Sequence, residues 1–283
     1  PRSLVAKAMK TGILFPSLTD GDRSLYRIPA DVRKQFITAV KNRLLPQIVS
    51  PSEPAAYRDE ESCIVADLAQ FLTYVGREGV RLTAESAIYR RDLQLILQQM
   101  AVREEPLGKT KWRFGFGRRY HQYPDRFSLI YDYAYYRGYG AENGQTLCLT
   151  VNLEGNKLVD PKEIEGLYNF WLRLYRKPIP TLPLIVKWLY VLASGHWVVV
   201  KPLKNMCREW LTPFYYMDEA KLFDLVVKMM LHLGVVRVGE SAEGEQVLAV
   251  TETGSRLMKK TAGWDLGELD HSFTSVEGTK FFP

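Results

Sequence analysis

The sequence predicts a mainly α protein with small β wings, an α+β fold. Two observations support this across the chain: apolar residues recur at helical spacing in most segments, and the strand-like runs between them are short. A third is specific to the last part of the chain, where helices and short strands follow one another in a defined order. Composition agrees: 46% hydrophobic and 25% charged residues exclude a disordered chain, a collagen-like fibre and a coiled coil. A length of 283 residues suggests two domains rather than one.

Residues 1–50 read as a helix tail (Leu4 to Met9), a strand (Gly12 to Phe15), a polar turn (Thr19 to Asp22), a strand (Leu25 to Ile28) and a helix. Pro29 stands at the start of that helix, where its missing N–H costs nothing, and Ile37, Val40, Leu44 and Leu45 give it helical spacing. This segment resembles the back half of a winged helix. The proline- and serine-rich stretch 46–54 reads as a linker.

A helix follows over Asp59 to Val75, with Ile64, Leu68, Phe71, Leu72 and Val75 on one face. Then come a strand (Val80 to Thr83) and a helix (Tyr89 to Met100) with Leu93, Ile96, Leu97 and Met100 inward. After turn-rich residues 104–124, a helix runs from Asp125 to about Arg137, and Leu147 to Leu153 reads as a strand.

The remainder gives the clearest pattern. Leu184 to Ala193 is a helix, Trp197 to Val200 a strand, Leu203 to Leu211 a helix. Asp218 is a natural N-cap for a long helix to Leu233, which Gly234 ends. Val235 to Val238 pairs with Gln246 to Val250 across a polar loop, and Thr251 caps a last helix, Gly254 to Lys260. Helix–strand–helix–helix–strand–wing–strand is the order of a winged helix.

Four segments carry a family resemblance: residues 12–16 with 25–36, residues 79–83 with 89–100, residues 233–240 with 247–258, and the helix 67–75. Together they resemble the tandem winged-helix regions of bacterial helicase-associated proteins, of the XPB N-terminal type. The resemblance covers roughly half the chain and implies stacked winged helices beside a repair- or transcription-type helicase. It brings no catalytic residue with it. The expected division is a partial winged-helix-like segment (1–50), a middle domain (57–158), a C-terminal winged helix (159–263) and a tail (264–283).

The sharpest local chemistry lies in residues 109–127. Lys109, Lys111, Arg113, Arg118 and Arg119 stand without an acid among them, interleaved with Trp112, Phe114, Phe116, Tyr120, Tyr123 and Phe127. Cations neutralise phosphates and aromatic faces stack on bases of any identity, so this pattern fits nucleic acid. It equally fits a two-faced hairpin, aromatics inward and cations in water. Gly115 and Gly117 read as loosening the backbone. The expected nucleic-acid-binding set is Lys109, Lys111, Trp112, Arg113, Arg118, Arg119, Tyr120, Arg126, Arg90 and Arg91, assisted by Arg77 and Arg81.

In the helix 125–137, Phe127, Ile130, Tyr131 and Ala134 share one face, while Tyr133, Tyr136 and Arg137 point elsewhere. The long helix 219–233 is apolar nearly all round and its wing carries Glu240, Glu243 and Glu245, a pattern of packing or protein contact rather than base reading. The acidic run Asp59–Glu60–Glu61 reads as charge in a first helical turn. Leu107 to Thr110 only imitates the end of a phosphate loop, since Arg103 occupies the place of its first glycine.

No catalytic residue, metal ligand set or cofactor is expected: His121, His196, His232 and His271 lack ligand spacing. Cys63, Cys148 and Cys207 read as reduced thiols, which with no visible secretory leader suggests the cytoplasm. Leu182 to Leu192 is too short for a membrane span and Lys187 interrupts it, so no membrane partner is expected. A net charge of +6 mildly favours an acidic partner. The expectation is therefore a non-enzymatic protein binding nucleic acid (DNA before RNA) with weak sequence preference, accessory to a helicase or a transcription or repair complex. The alternative is a protein–protein adaptor.

Overall fold

The computed structural model describes residues 2–16, 26–108, 115–150, 160, 162–261 and 268–269. It is α-rich with small antiparallel sheets. The polar turn at 19–22 and the expected tail beyond 269 lie outside the described residues.

Helix α1 (Arg2–Lys10) buries none of its side chains. Strands β1 (Phe15–Pro16) and β2 (Tyr26–Arg27) pair antiparallel. Helix α2 (Ala30–Ile48) starts after Pro29 and runs through Pro46, so the expected linker begins inside a helix. A proline so near the helix end removes one hydrogen bond without stopping the last turn. The residues that follow are tied down: Ser50 N–H donates to the Trp197 carbonyl (2.8 Å), and β3 (Tyr57–Arg58) joins the edge of a sheet built from the far end of the chain.

A six-element unit follows. In α3 (Cys63–Glu78) the expected apolar face is buried, and Gly79, at φ +64°, releases the chain into β4 (Val80–Arg81). Next come α4 (Arg90–Gln99), α5 (Asp125–Tyr136), and the hairpin of β5 (Gly140–Asn143) and β6 (Thr146–Leu149), turned at Gly144. The sheet order is β4–β6–β5. Strand β5 has no alternating apolar pattern of its own and is defined by its pairing with β6.

Helix α6 (Glu163–Arg176) is an element that the sequence reading does not contain. Yet Ile164, Leu167, Tyr168, Trp171 and Tyr175 fall at helical spacing and are all buried.

Then the same order recurs: α7 (Leu182–Ala193), β7 (Val198–Val199), α8 (Val200–Arg208), α9 (Glu219–His232), β8 (Val236–Glu240) and β9 (Gln246–Val250). Here β9 again lies between the other two strands, in the sheet β3–β8–β9–β7. Asp218 caps α9 by accepting from Lys221 N–H (2.8 Å), and Gly234, at φ +67°, ends it. The cap of α10 (Glu252–Thr261) is Thr251, whose hydroxyl accepts from Gly254 N–H (2.9 Å) and donates to the Gly234 carbonyl (2.7 Å). Gly254 is required there by close approach: a Cβ would sit 1.9 Å from the Val235 carbonyl oxygen. Strand β10 (Glu268–Leu269) adds to β2.

One contiguous apolar cluster runs from Ile48 to Met258 and joins both units. Helix α5, buried from Arg126 to Ala134, packs against α9, its counterpart in the second unit. Tyr133 is fully buried against Phe170 (5.6 Å between centroids), so it belongs to the core rather than to an outer face. Among the described residues, no helix is long and apolar enough to cross a membrane.

Candidate nucleic-acid interface

Lys109, Lys111, Trp112 and Arg113 lie outside the described residues, and the flanking ones are divided. Arg126 is removed from the candidate set. It is fully buried on the inner side of α5, ion-paired with Asp67 and 3.4 Å from Glu60. Asp67 also accepts from Ala101 N–H (2.6 Å), and Glu60 accepts from Arg58 Nε (2.7 Å) and faces His232 Nδ1 (3.0 Å). Burial pushes the Glu60 carboxyl up, but His232, Arg58 and Arg126 outweigh it and hold the group below the usual carboxylate range. This is a structural knot between the two units. It also corrects the reading of the acidic run: Glu60 is at the centre of the knot, and Glu61 accepts from Thr253 N–H (2.8 Å) in the first turn of α10.

Arg119 is mostly buried, with two hydrogen bonds to Glu142 (3.0 and 3.1 Å) and one to the Glu85 carbonyl (3.0 Å). That last bond reaches the loop before α4, at whose N-terminal end Arg90 and Arg91 are exposed. Arg118 is 43% exposed, its guanidinium 3.8 Å from the centroid of Tyr135. Tyr120 is half-buried, folded over Gly115, where a Cβ would come within 2.9 Å of its ring. Gly117, at φ +124°, lies closer still to Asp132, whose carboxylate a Cβ would overlap. Gly117 therefore seats the segment on α5 and Gly115 lets it fold on itself, instead of loosening it. Asp132 accepts from Arg118 N–H (2.8 Å), and burial raises its carboxyl to about 6. Phe116 turns inward onto Tyr175 (4.6 Å).

Two further arginines share the habit of Arg118. Arg173 on α6 lies 4.1 Å over Tyr136, which stacks on Phe170 (5.1 Å), and Arg137 leans over Tyr139 at 5.4 Å. The acids that hold these groups sit beneath them. Glu142, 14% exposed, receives Arg119 and the Tyr131 hydroxyl and lies 3.6 Å from Arg118. Glu163, 12% exposed, receives Arg137 and the hydroxyls of Tyr133 and Tyr139. A face results in which tyrosine rings and guanidiniums reach solvent while the carboxylates that orient them do not. Such guanidiniums are pre-set for anions, and the tyrosines for flat apolar partners.

The sequence reading did not include Tyr135, Arg173, Tyr215 or Tyr216 among functional residues. The signals were the Tyr135–Tyr136–Arg137 triplet at a helix end and two adjacent tyrosines in a loop between two predicted helices. No histidine, cysteine, aspartate and glutamate grouping among the described residues could hold a metal ion. In comparisons with known proteins, the chain matches no family model, no curated protein and no solved structure.

Proposed function

We propose that the chain is a non-enzymatic, cytoplasmic protein of two winged-helix units that binds nucleic acid with weak sequence preference. The repeated element order and the shared sheet order, with the last strand central, support the winged-helix reading. In such a unit the third helix is the one that enters a major groove. Here those helices are α5 and α9, and they are packed against each other, linked by Lys228 and Asp125 (2.6 Å). Contact with nucleic acid therefore falls to the phosphates and to base faces, which carry little sequence information.

The observation that carries the reading is the face of Arg118, Arg137 and Arg173, each set over a tyrosine, the first two with a carboxylate underneath. The basic residues Lys109, Lys111 and Arg113 continue from its edge in sequence. Stacking fixes each guanidinium plane, so little side-chain freedom is lost when a phosphate is bound. By the family resemblance, the setting is a helicase or a transcription or repair complex.

Fluorescence anisotropy of labelled oligonucleotides at low and moderate salt tests this. Binding should weaken steeply with salt, and changing Arg118, Arg137 and Arg173 together to Ala should lower the log–log salt slope by roughly 2–3. Wild-type protein that binds no oligonucleotide at low salt overturns the reading. The adaptor reading is then the one left, favoured by the packing of α5 on α9 and by the exposed glutamates at the β8–β9 turn.

A further inference from the structure

The turn between α8 and α9 holds the least expected pair of side chains on the surface. Phe214 and Met217 bridge each other with two backbone hydrogen bonds of 3.0 Å, a closed turn with Tyr215 and Tyr216 at its tip. They are 78% and 77% exposed, and among the described residues no large hydrophobic side chain is more so. Tyr215 has φ +52°, a left-handed conformation that suits glycine, asparagine or aspartate and strains a tyrosine. At Tyr215 an exposed ring on a strained backbone opposes both burial and local preference, and Tyr216 beside it is as exposed. Such violations concentrate where a ligand is met.

The tip stands beside the face already described. Phe214 packs edge-on to Tyr215 (4.7 Å) and faces Phe116 at 6.2 Å. From Phe116 the chain passes through Gly117 to Arg118. The aromatic tip of the second unit is thus joined through Phe116 to the stretch of the first that carries Arg118.

We infer that the ligand of this surface is single-stranded nucleic acid, whose bases stack on Tyr215 and Tyr216 while its phosphates lie along Arg118 and Arg173. The inference rests on the nucleic-acid reading and narrows it. In a duplex, base faces are covered by their neighbours and only edges and phosphates are offered, whereas an unpaired strand presents faces that stack on aromatic rings regardless of sequence. With α5 and α9 packed together, neither third helix is left for a duplex groove. What the surface does offer is exposed rings at the tip and fixed cations beyond Phe116, the two parts of a single-strand path.

The test uses the full chain with a labelled oligothymidine and a labelled hairpin duplex of equal charge, followed by anisotropy. The strand should bind at least ten-fold tighter than the duplex. Tyr215→Ala and Tyr216→Ala should each weaken strand binding about ten-fold, the Phe variants should not, and the salt slope should stay unchanged because no charge is removed. Both sites are exposed, so circular dichroism and melting should match wild type. Irradiation with a 5-iodouracil oligonucleotide should crosslink Tyr215 or Tyr216, as mapped by mass spectrometry. Strand binding that survives both Ala substitutions, or duplex binding as tight as strand binding, overturns this inference. If the variant lacking Arg118, Arg137 and Arg173 still loses binding, the nucleic-acid reading stands without it. Absence of binding to either probe overturns both.

Discussion

Replacing Arg126 with Met should be among the costliest single changes in this chain. The side chain is wholly buried, ion-paired with Asp67 and 3.4 Å from Glu60. Methionine fills similar volume, so little cavity is created and the effect isolates the lost charge. Glu60 retains Arg58 and His232, whereas Asp67 retains only the backbone donors Ala101 and Val102. An uncompensated buried carboxylate of this kind costs about 3–5 kcal/mol. For a chain of this size the melting temperature should fall by roughly 5–8 °C. Urea unfolding at pH 7 measures the loss directly. One feature marks the mechanism. Arg126→Met combined with Asp67→Asn should recover a large part of the loss, a non-additivity expected of partners in one network. A single variant within 0.5 kcal/mol of wild type (about the limit for an inconsequential surface change), or a double variant that recovers nothing, would refute the reasoning.

Two other outcomes follow from buried hydrogen bonds. Thr251→Val removes both the cap of α10 and the donor to the Gly234 carbonyl, and should cost about 1–3 kcal/mol in urea unfolding, while Thr251→Ser should stay near wild type. Asp132 carries a carboxyl raised to about 6 by burial, against about 3.9 in the unfolded chain. Its folded form holds the proton more tightly, so its contribution to stability declines as pH rises from about 4 to about 6. Asp132→Asn should therefore gain on wild type between pH 4.5 and pH 7 in the same assay; a constant difference would count against the assignment.

Local pattern made most elements legible. The apolar face of α3, the Asp218 cap, the Gly234 stop and the β8–β9 hairpin all follow from residues within a turn or two of one another. What escaped depends on partners far off in sequence. Arg126 reads as one more cation in a basic run until Asp67 and Glu60 close around it, and Glu60 reads as solvated until His232 arrives from the second unit. Gly115 and Gly117 look permissive in sequence, and only their contacts with Tyr120 and Asp132 show that they are tight-packing positions. The arginine–tyrosine face needs α5 and α6 side by side, and α6 was itself missed although its apolar spacing was visible. Strand β5 has no signal of its own because its register comes from β6.

The knot at Glu60 also sets a timetable for biosynthesis. Its histidine partner lies 172 residues downstream. At ribosomal speeds of about 5–20 residues per second, roughly 10–35 seconds separate the emergence of the two. Throughout that interval Glu60 lacks its histidine, Glu61 lacks the helix end it will cap, and the β3 edge lacks the strand it will join. The first unit is thus obliged to wait for the second. A ribosome halted before residue 232 releases a chain with an unfinished interior, a substrate for chaperones and proteases rather than a smaller working protein.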